Sequence, residues 1–151
     1  MELKKGVVLK DFTLADNQDG RFKLSDFRGK KVLLSWHPLA WTSVCTDQMR
    51  ALEVNYDKFA ALNTVPVGLS VDAAPSKKVW AQVLSIQKTR LLADFYPHGG
   101  LAKELGIFLE ELGASKRANI LVDEEGKVQW FKVYELGQLP DLNEVFEELK
   151  K

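Results

Sequence analysis

The sequence predicts an α/β fold: a mixed central sheet, helices on both of its faces, and an added β-hairpin at the N-terminus. Three features carry that expectation. Short apolar runs alternate with segments of helical period through the middle of the chain, as expected of strands joined by helical connections. Two turn sequences, Asn17-Gln18-Asp19-Gly20 and Asp123-Glu124-Glu125-Gly126, stand between strand-like pieces and mark hairpins. The 151 residues are 46% apolar and 28% charged, an ordinary globular balance, and their number suits a single domain over residues 1–151.

Asp11–Leu14 and Arg21–Leu24 flank the first turn. Ser25–Gly29 then leads into Lys31–Trp36, an apolar run of strand length that fits burial on both faces. Pro38 ends it, because proline has no N–H for the ladder. Beyond Pro38, Cys45, Met49, Leu52, Tyr56 and Phe59 recur at intervals of four, three, four and three. That is one face of an amphipathic helix with Thr42 or Ser43 as its N-cap, which puts Cys45 in the first turn. Val65–Val71 reads as a second buried strand, Ser76–Gln87 as a helix carrying Val79, Trp80 and Val83, and Gly100–Leu105 as a shorter helical piece. Arg117–Asp123 and Lys127–Tyr134 flank the second turn, and a last helix runs from Leu139 to Leu149. This order suits a thioredoxin-like architecture. Periodicity alone leaves a small flavodoxin-like fold open, although the closing antiparallel hairpin argues against an all-parallel sheet.

Several function classes are disfavoured by composition. Lys plus Arg (21) balances Asp plus Glu (21), so no global field draws the chain to nucleic acid or an anionic membrane. No apolar run approaches the roughly 20 residues of a membrane span, and the N-terminus lacks the apolar core of a signal peptide. A cytoplasmic location is the expectation. His37 and His98, taken with Cys45, match no common metal-ligand spacing, and no glycine-rich dinucleotide or phosphate loop is present. Neither a metal nor a cofactor is expected. Trp36, Trp41, Trp80 and Trp130 read as packing residues rather than a cofactor stack.

Cys45 is the one cysteine, so it has no intramolecular disulfide partner. It is either a small buried hydrophobe or a nucleophile. Its context favours the second. The first turn of a helix presents unpaired N–H groups and the positive end of the macrodipole, which favour a thiolate. Pro38 stiffens the loop entering that helix, and the Thr42 hydroxyl, three residues before the sulfur, can reach it or its substrate.

The segment Pro38-Leu39-Ala40-Trp41-Thr42-Ser43-Val44-Cys45 resembles the Pro-x-x-x-Thr-x-x-Cys signature of the peroxiredoxins, the AhpC/TSA family. Asp11–Leu14, Phe27–Lys30, Asp94–Gly99 and Arg117 followed by Ile120–Asp123 continue the likeness over nearly the whole chain. Pro38–Ala40 before Trp41-Thr42, Lys78–Ala81 and Asp94–Gly99 are most similar to the one-cysteine alkyl hydroperoxide reductase E group. The resemblance implies a thiol-dependent peroxidase that reduces hydrogen peroxide and organic hydroperoxides. Cys45 would attack one peroxide oxygen and become a sulfenic acid. Thr42 would accept and donate hydrogen bonds at the peroxide oxygens, the backbone N–H groups near Val44 and Cys45 would bind them, and Pro38 would shield the product from water. Arg117 would stabilise charge moving from sulfur to the leaving oxygen, a role that suits a guanidinium because it cannot lose its proton. Gln48, grouped with Val44 on the substrate-binding side, falls where many relatives carry a glutamate or glutamine that orients the arginine; simple helix surface is the alternative for it. His37 stands where most relatives carry an aromatic residue, and His98 belongs to a stretch with a structural or interface role.

Two-cysteine relatives resolve the sulfenic acid with a second cysteine, and none exists here; Arg50 stands at one of its usual positions. An external thiol, small or of thioredoxin or glutaredoxin type, would have to take its place. A homodimer is expected, with Trp36, Trp41, Phe95 and Tyr96 beside the active-site loop as anchors. Two other functions fit the same fold: a peroxide sensor relaying oxidation to a partner, and a non-enzymatic interaction module or holdase.

Overall fold

A computed structural model describes residues 2–151. The strands are β1 (Thr13–Asp16), β2 (Arg21–Lys23), β3 (Lys31–Trp36), β4 (Thr64–Ser70), β5 (Arg90–Ala93), β6 (Phe108–Leu109), β7 (Ala114–Ser115), β8 (Arg117–Val122) and β9 (Val128–Tyr134). The helices are α1 (Ser43–Val54), α2 (Tyr56–Ala61), α3 (Ala74–Val83), α4 (Gly100–Glu104) and α5 (Leu142–Leu149). Seven strands form one mixed sheet in the order β2-β1-β5-β4-β3-β8-β9. β4 runs parallel to β3 and β5, whereas the two hairpins at the edges pair antiparallel.

Both hairpins are built by an aspartate in the turn. Asp16 Oδ1 accepts from the N–H groups of Gln18 and Gly20, and Asp123 Oδ1 accepts from those of Glu125 and Lys127. Such local bonds replace the ladder where the chain reverses. Gly126, at φ 84°, supplies the left-handed residue of the second turn.

Side chains alternate across β3 and β8, and this alternation builds two cores. Val32, Leu34 and Trp36 join Ala118, Ile120 and Val122 on one face, beneath Leu101 and Ala102 of α4. Leu33 and Leu121 face the other way, into a layer with Met49 and Leu52 of α1, Phe59 of α2, Trp80 of α3 and Phe146 of α5. Helices therefore cover both faces, and the architecture is thioredoxin-like.

Several boundaries differ from the sequence expectation, each for a local reason. The apolar stripe from Cys45 to Phe59 spans two helices, because the Asn55 side chain donates to the Ala51 carbonyl and competes with the helical ladder. α3 stops at Val83 rather than Gln87: Ser85 is left-handed at φ 57°, and the Ile86 N–H closes on the Ala81 carbonyl. α5 starts at Leu142 rather than Leu139, since Asp141 caps it through the Asn143 N–H just after Pro140. The short strands β5, β6 and β7 carry no periodicity that separates them from loop. α3 is also rotated from the expected face: Val79 and Val83 are exposed, and it is Lys77, Trp80 and Ala81 that are buried.

Candidate active site

Cys45 occupies the third position of α1, and Thr42 is the N-cap with extended backbone. The N-cap is not of the side-chain type. Thr42 Oγ1 donates to the Leu39 carbonyl at 2.8 Å, so the N–H groups of the first turn keep their free valences. A hydroxyl has one hydrogen and two lone pairs, and this one therefore faces the site as an acceptor.

The loop before α1 is pinned from below. Asp72 Oδ2 accepts from the Ala40 N–H at 2.8 Å and from Ser70 Oγ at 2.6 Å. Trp41 holds a left-handed backbone at φ 74°, an uncommon conformation for a bulky residue, and its indole N–H is tied to Ser76 Oγ on α3. The result is a pocket of about 250 Å³ lined by Pro38, Leu39, Thr42, Ser43, Val44, Cys45, Leu112, Arg117 and Leu136. Cys45 forms part of its wall and is 1% exposed.

Arg117 opens β8 on the same face as Asn119 and Leu121, which aims it at α1. Its Nη1 donates to Cys45 Sγ at 3.3 Å and to Gln48 Oε1 at 2.7 Å, while Nε and Nη2 both donate to the Leu136 carbonyl. Arg117 is 3% exposed. Among the described residues no carboxylate bonds it. A buried cation costs several kcal/mol unless an anion or good acceptors compensate it, and the acceptors around this one are Gln48 Oε1, the Leu136 carbonyl and the Cys45 sulfur.

Behind the arginine runs a directed chain of hydrogen bonds. Gln48 Nε2 donates to Ser35 Oγ and to the Trp36 carbonyl, and Ser35 Oγ donates to Asn119 Oδ1 at 2.7 Å. The β3/β8 register sets Ser35 directly opposite Asn119. Arginine can only donate, so Gln48 must turn its oxygen toward Arg117 and its amide nitrogen toward the sheet.

The expected residues Pro38, Thr42, Val44, Cys45 and Arg117 thus meet in one pocket. Gln48 does not line it: it is 2% exposed and its Oε1 accepts from Arg117 from behind, a position that suits the orienting role and corrects both the substrate-side grouping and the helix-surface alternative. Leu112, Leu136 and Asp72 had no sequence signal, because two act through backbone position or rim packing and the third through loop bonds.

A match to the AhpC/TSA family covers residues 6–131. The chain belongs to the AhpC/TSA family. It is a peroxiredoxin, a thiol-dependent peroxidase. It is 31% identical over 140 residues to alkyl hydroperoxide reductase E of Mycobacterium tuberculosis, covering 92% of this chain and 91% of that one. It is 30% identical to a thiol peroxidase of Streptococcus agalactiae over 85% of this chain and 77% of the other. The crystal structure of a reduced 2-Cys peroxiredoxin from Plasmodium vivax superposes with a TM-score of 0.89 at 26% identity, covering 97% of this chain and 80% of that one.

The remaining polar residues of the peroxiredoxin stretch are structural. Asp94 accepts from the N–H groups of Leu101 and Ala102 and so starts α4. His98 Nε2 bonds the Gly113 carbonyl and its ring meets Phe108 edge-on, which ties the Tyr96–Gly99 turn to the loop bearing Leu112. No described helix is long and apolar enough to cross a membrane.

Proposed function

We propose that this peroxiredoxin reduces hydrogen peroxide and organic hydroperoxides by a one-cysteine mechanism, with Cys45 as the attacking thiolate and an external thiol as reductant. The observation that carries the reading is the Arg117 Nη1 to Cys45 Sγ contact of 3.3 Å beside an accessible pocket. The peroxide O–H donates to Thr42 Oγ1, whose own hydrogen is already directed to Leu39. The peroxide oxygens accept from the N–H groups of Val44 and Cys45. Cys45 attacks the nearer oxygen, the S–O bond forms as the O–O bond breaks, Arg117 stabilises the negative charge as it moves from sulfur to the departing oxygen, and that oxygen takes up a proton and leaves as water or an alcohol. Pro38, buried at the pocket wall, keeps bulk water from the sulfenic acid.

With one cysteine in the chain, resolution needs a second molecule. A thiolate attacks the sulfur of the sulfenic acid, the S–O bond breaks and the hydroxyl takes a proton and leaves as water; a second thiol then attacks the mixed disulfide, freeing the Cys45 thiol and leaving the disulfide between the two reductant thiols. Exposed apolar side chains at the mouth, Leu39, Leu112 and Leu136, suit an organic peroxide. We further read the chain as one domain that works in the cytoplasm as a homodimer. Trp41, Phe95 and Tyr96 are more than half exposed, and aromatic side chains are typical interface anchors. Trp36 is fully buried and takes no part in the interface.

The test is steady-state peroxide consumption with a small thiol or a dithiol redoxin, in wild type and Cys45→Ser. Wild type consumes peroxide in proportion to added thiol and the variant, folded by circular dichroism, does not. Full turnover in Cys45→Ser would overturn the assignment. Light scattering at micromolar concentration tests the dimer, and a monomer contradicts it.

A further inference from the structure

Among the described residues Lys77 is the only lysine with no solvent exposure, a placement that lysine almost never adopts unless it is paired. Its partner is not a carboxylate. Lys77 Nζ lies 3.0 Å from His37 Nε2, and the His37 Nδ1 atom has no partner. While Lys77 is an ammonium it can only donate, so His37 Nε2 is then the acceptor of a neutral imidazole. Neither residue lines the pocket, and neither takes part in the mechanism above.

Their placement nonetheless couples them to it. His37 immediately precedes Pro38, and the β3/β8 register, extended by one residue, sets it opposite Arg117. Its ring lies 5.4 Å from that of Trp80, over which Lys77 Nζ also sits, at 5.9 Å. Trp80 and Cys45 belong to the same apolar layer. The charged groups that act on the pair are Asp72 after β4 and Cys45 on α1, which act on Lys77, and Arg117 on β8, which acts on His37.

We propose that Lys77 is a positioning residue for peroxide reduction: held against His37, it adds a second buried positive charge behind Cys45, and the charge state of the pair sets how fast Cys45 attacks peroxide. The inference rests on Cys45 being the attacking thiolate. Burial pushes the Lys77 ammonium down to about 7, against the opposing pull of Asp72 and the Cys45 thiolate. Burial, then the charge of Lys77 and that of Arg117, holds His37 neutral. The pair thus carries one positive charge below neutral pH and loses it above. Charges separated by protein interior rather than water interact strongly enough to alter a rate.

The test is the pH profile of two reactions of the full chain, oxidation of Cys45 by hydrogen peroxide and its alkylation by iodoacetamide. A charged Lys77 favours the Cys45 thiolate, so Lys77→Met, of similar length and without charge, should react roughly threefold to tenfold more slowly than wild type in both reactions below neutral pH, the scale of one charge acting through several ångströms of interior, with the gap closing above neutral pH where the wild-type lysine has lost its proton. His37→Phe keeps the lysine and removes its acceptor, so the lysine sheds its proton at lower pH and this variant should fall behind wild type only over the interval just below neutral. Equal rates in Lys77→Met and wild type below neutral pH, or a gap that does not close above it, overturn the inference. Should Lys77→Met fail to fold, wild type and His37→Phe decide it. Alkylation without any peroxide reaction in wild type would remove the functional reading instead, and the alkylation profile would still decide the role of Lys77.

Discussion

Arg117 divides one nitrogen between two residues of α1: its Nη1 donates to Cys45 Sγ and, three residues on, to Gln48 Oε1. The spacing works because positions three apart on a helix share a face. The cation beside the sulfur is thus aimed by the same helix that carries the sulfur.

Removing that cation should be costly. Arg117→Ala should slow oxidation of Cys45 by roughly tenfold to a thousandfold, the range for losing a preorganised donor in a dry site. Arg117→Lys should recover little, since a single ammonium cannot reach sulfur, Gln48 and the Leu136 carbonyl together. Stopped-flow oxidation measures both, and an unchanged rate in Arg117→Ala would remove the residue from the mechanism.

Gln48→Leu should be milder. It keeps the volume but leaves Arg117 held only from the Leu136 side and strips Ser35 Oγ of its donor. Oxidation should slow by about tenfold, since the cation remains but is less well aimed. A rate equal to that of wild type would show that Leu136 alone suffices to aim the guanidinium.

These polar partners mark where the sequence stops being legible. Cys45, Thr42, Pro38 and Arg117 were readable because a helix start after a proline, and a motif around it, constrain residue type. The anchor at the Leu136 carbonyl was not, because any residue offers that atom. Lys77 was hidden by a stronger apolar signal: Val79, Trp80 and Val83 outline a helix face, yet the sheet takes the face centred on Lys77 and Trp80. The strand β5 was hidden by its four-residue length.

Packing beneath the site gives a stability prediction. A Cβ on Gly68 of β4 would overlap Met49 Sδ and lie 3.0 Å from a Leu91 methyl. Met49 is one turn from Cys45 on the same face of α1. Gly68→Ala should therefore lower stability by about 1–3 kcal/mol, the usual cost of overpacking, and reduce the oxidation rate as α1 shifts. Thermal unfolding and stopped-flow kinetics should change together; an unaltered Tm would mean that Met49 repacks freely.

Glu53 supplies a pH-dependent brace at the far end of α1. Its carboxylate accepts from the N–H groups of Gln87, Lys88 and Thr89 and from Thr89 Oγ1. Partial burial works against the charged form, but these donors outweigh it and hold the carboxyl below its ordinary value. A lowered folded value stabilises above the unfolded one, about 4.3, and that contribution is lost as the pH falls through the folded value. Glu53→Gln should be less stable than wild type by about 1–3 kcal/mol at neutral pH, with the gap closing below about pH 4. Urea melts at both pH values check this, and a gap independent of pH would show that the charge is immaterial.

The most direct test of the one-cysteine account is mass spectrometry of the intact chain after one equivalent of hydroperoxide, with and without a small thiol. Without thiol, the chain should gain one oxygen at Cys45, turn over once, and pass to the sulfinic acid under excess peroxide. With thiol, it should show a mixed disulfide at Cys45 and return to the reduced mass as further peroxide is consumed. Sustained peroxide consumption without any thiol, or oxygen gained at a residue other than Cys45, would contradict the account.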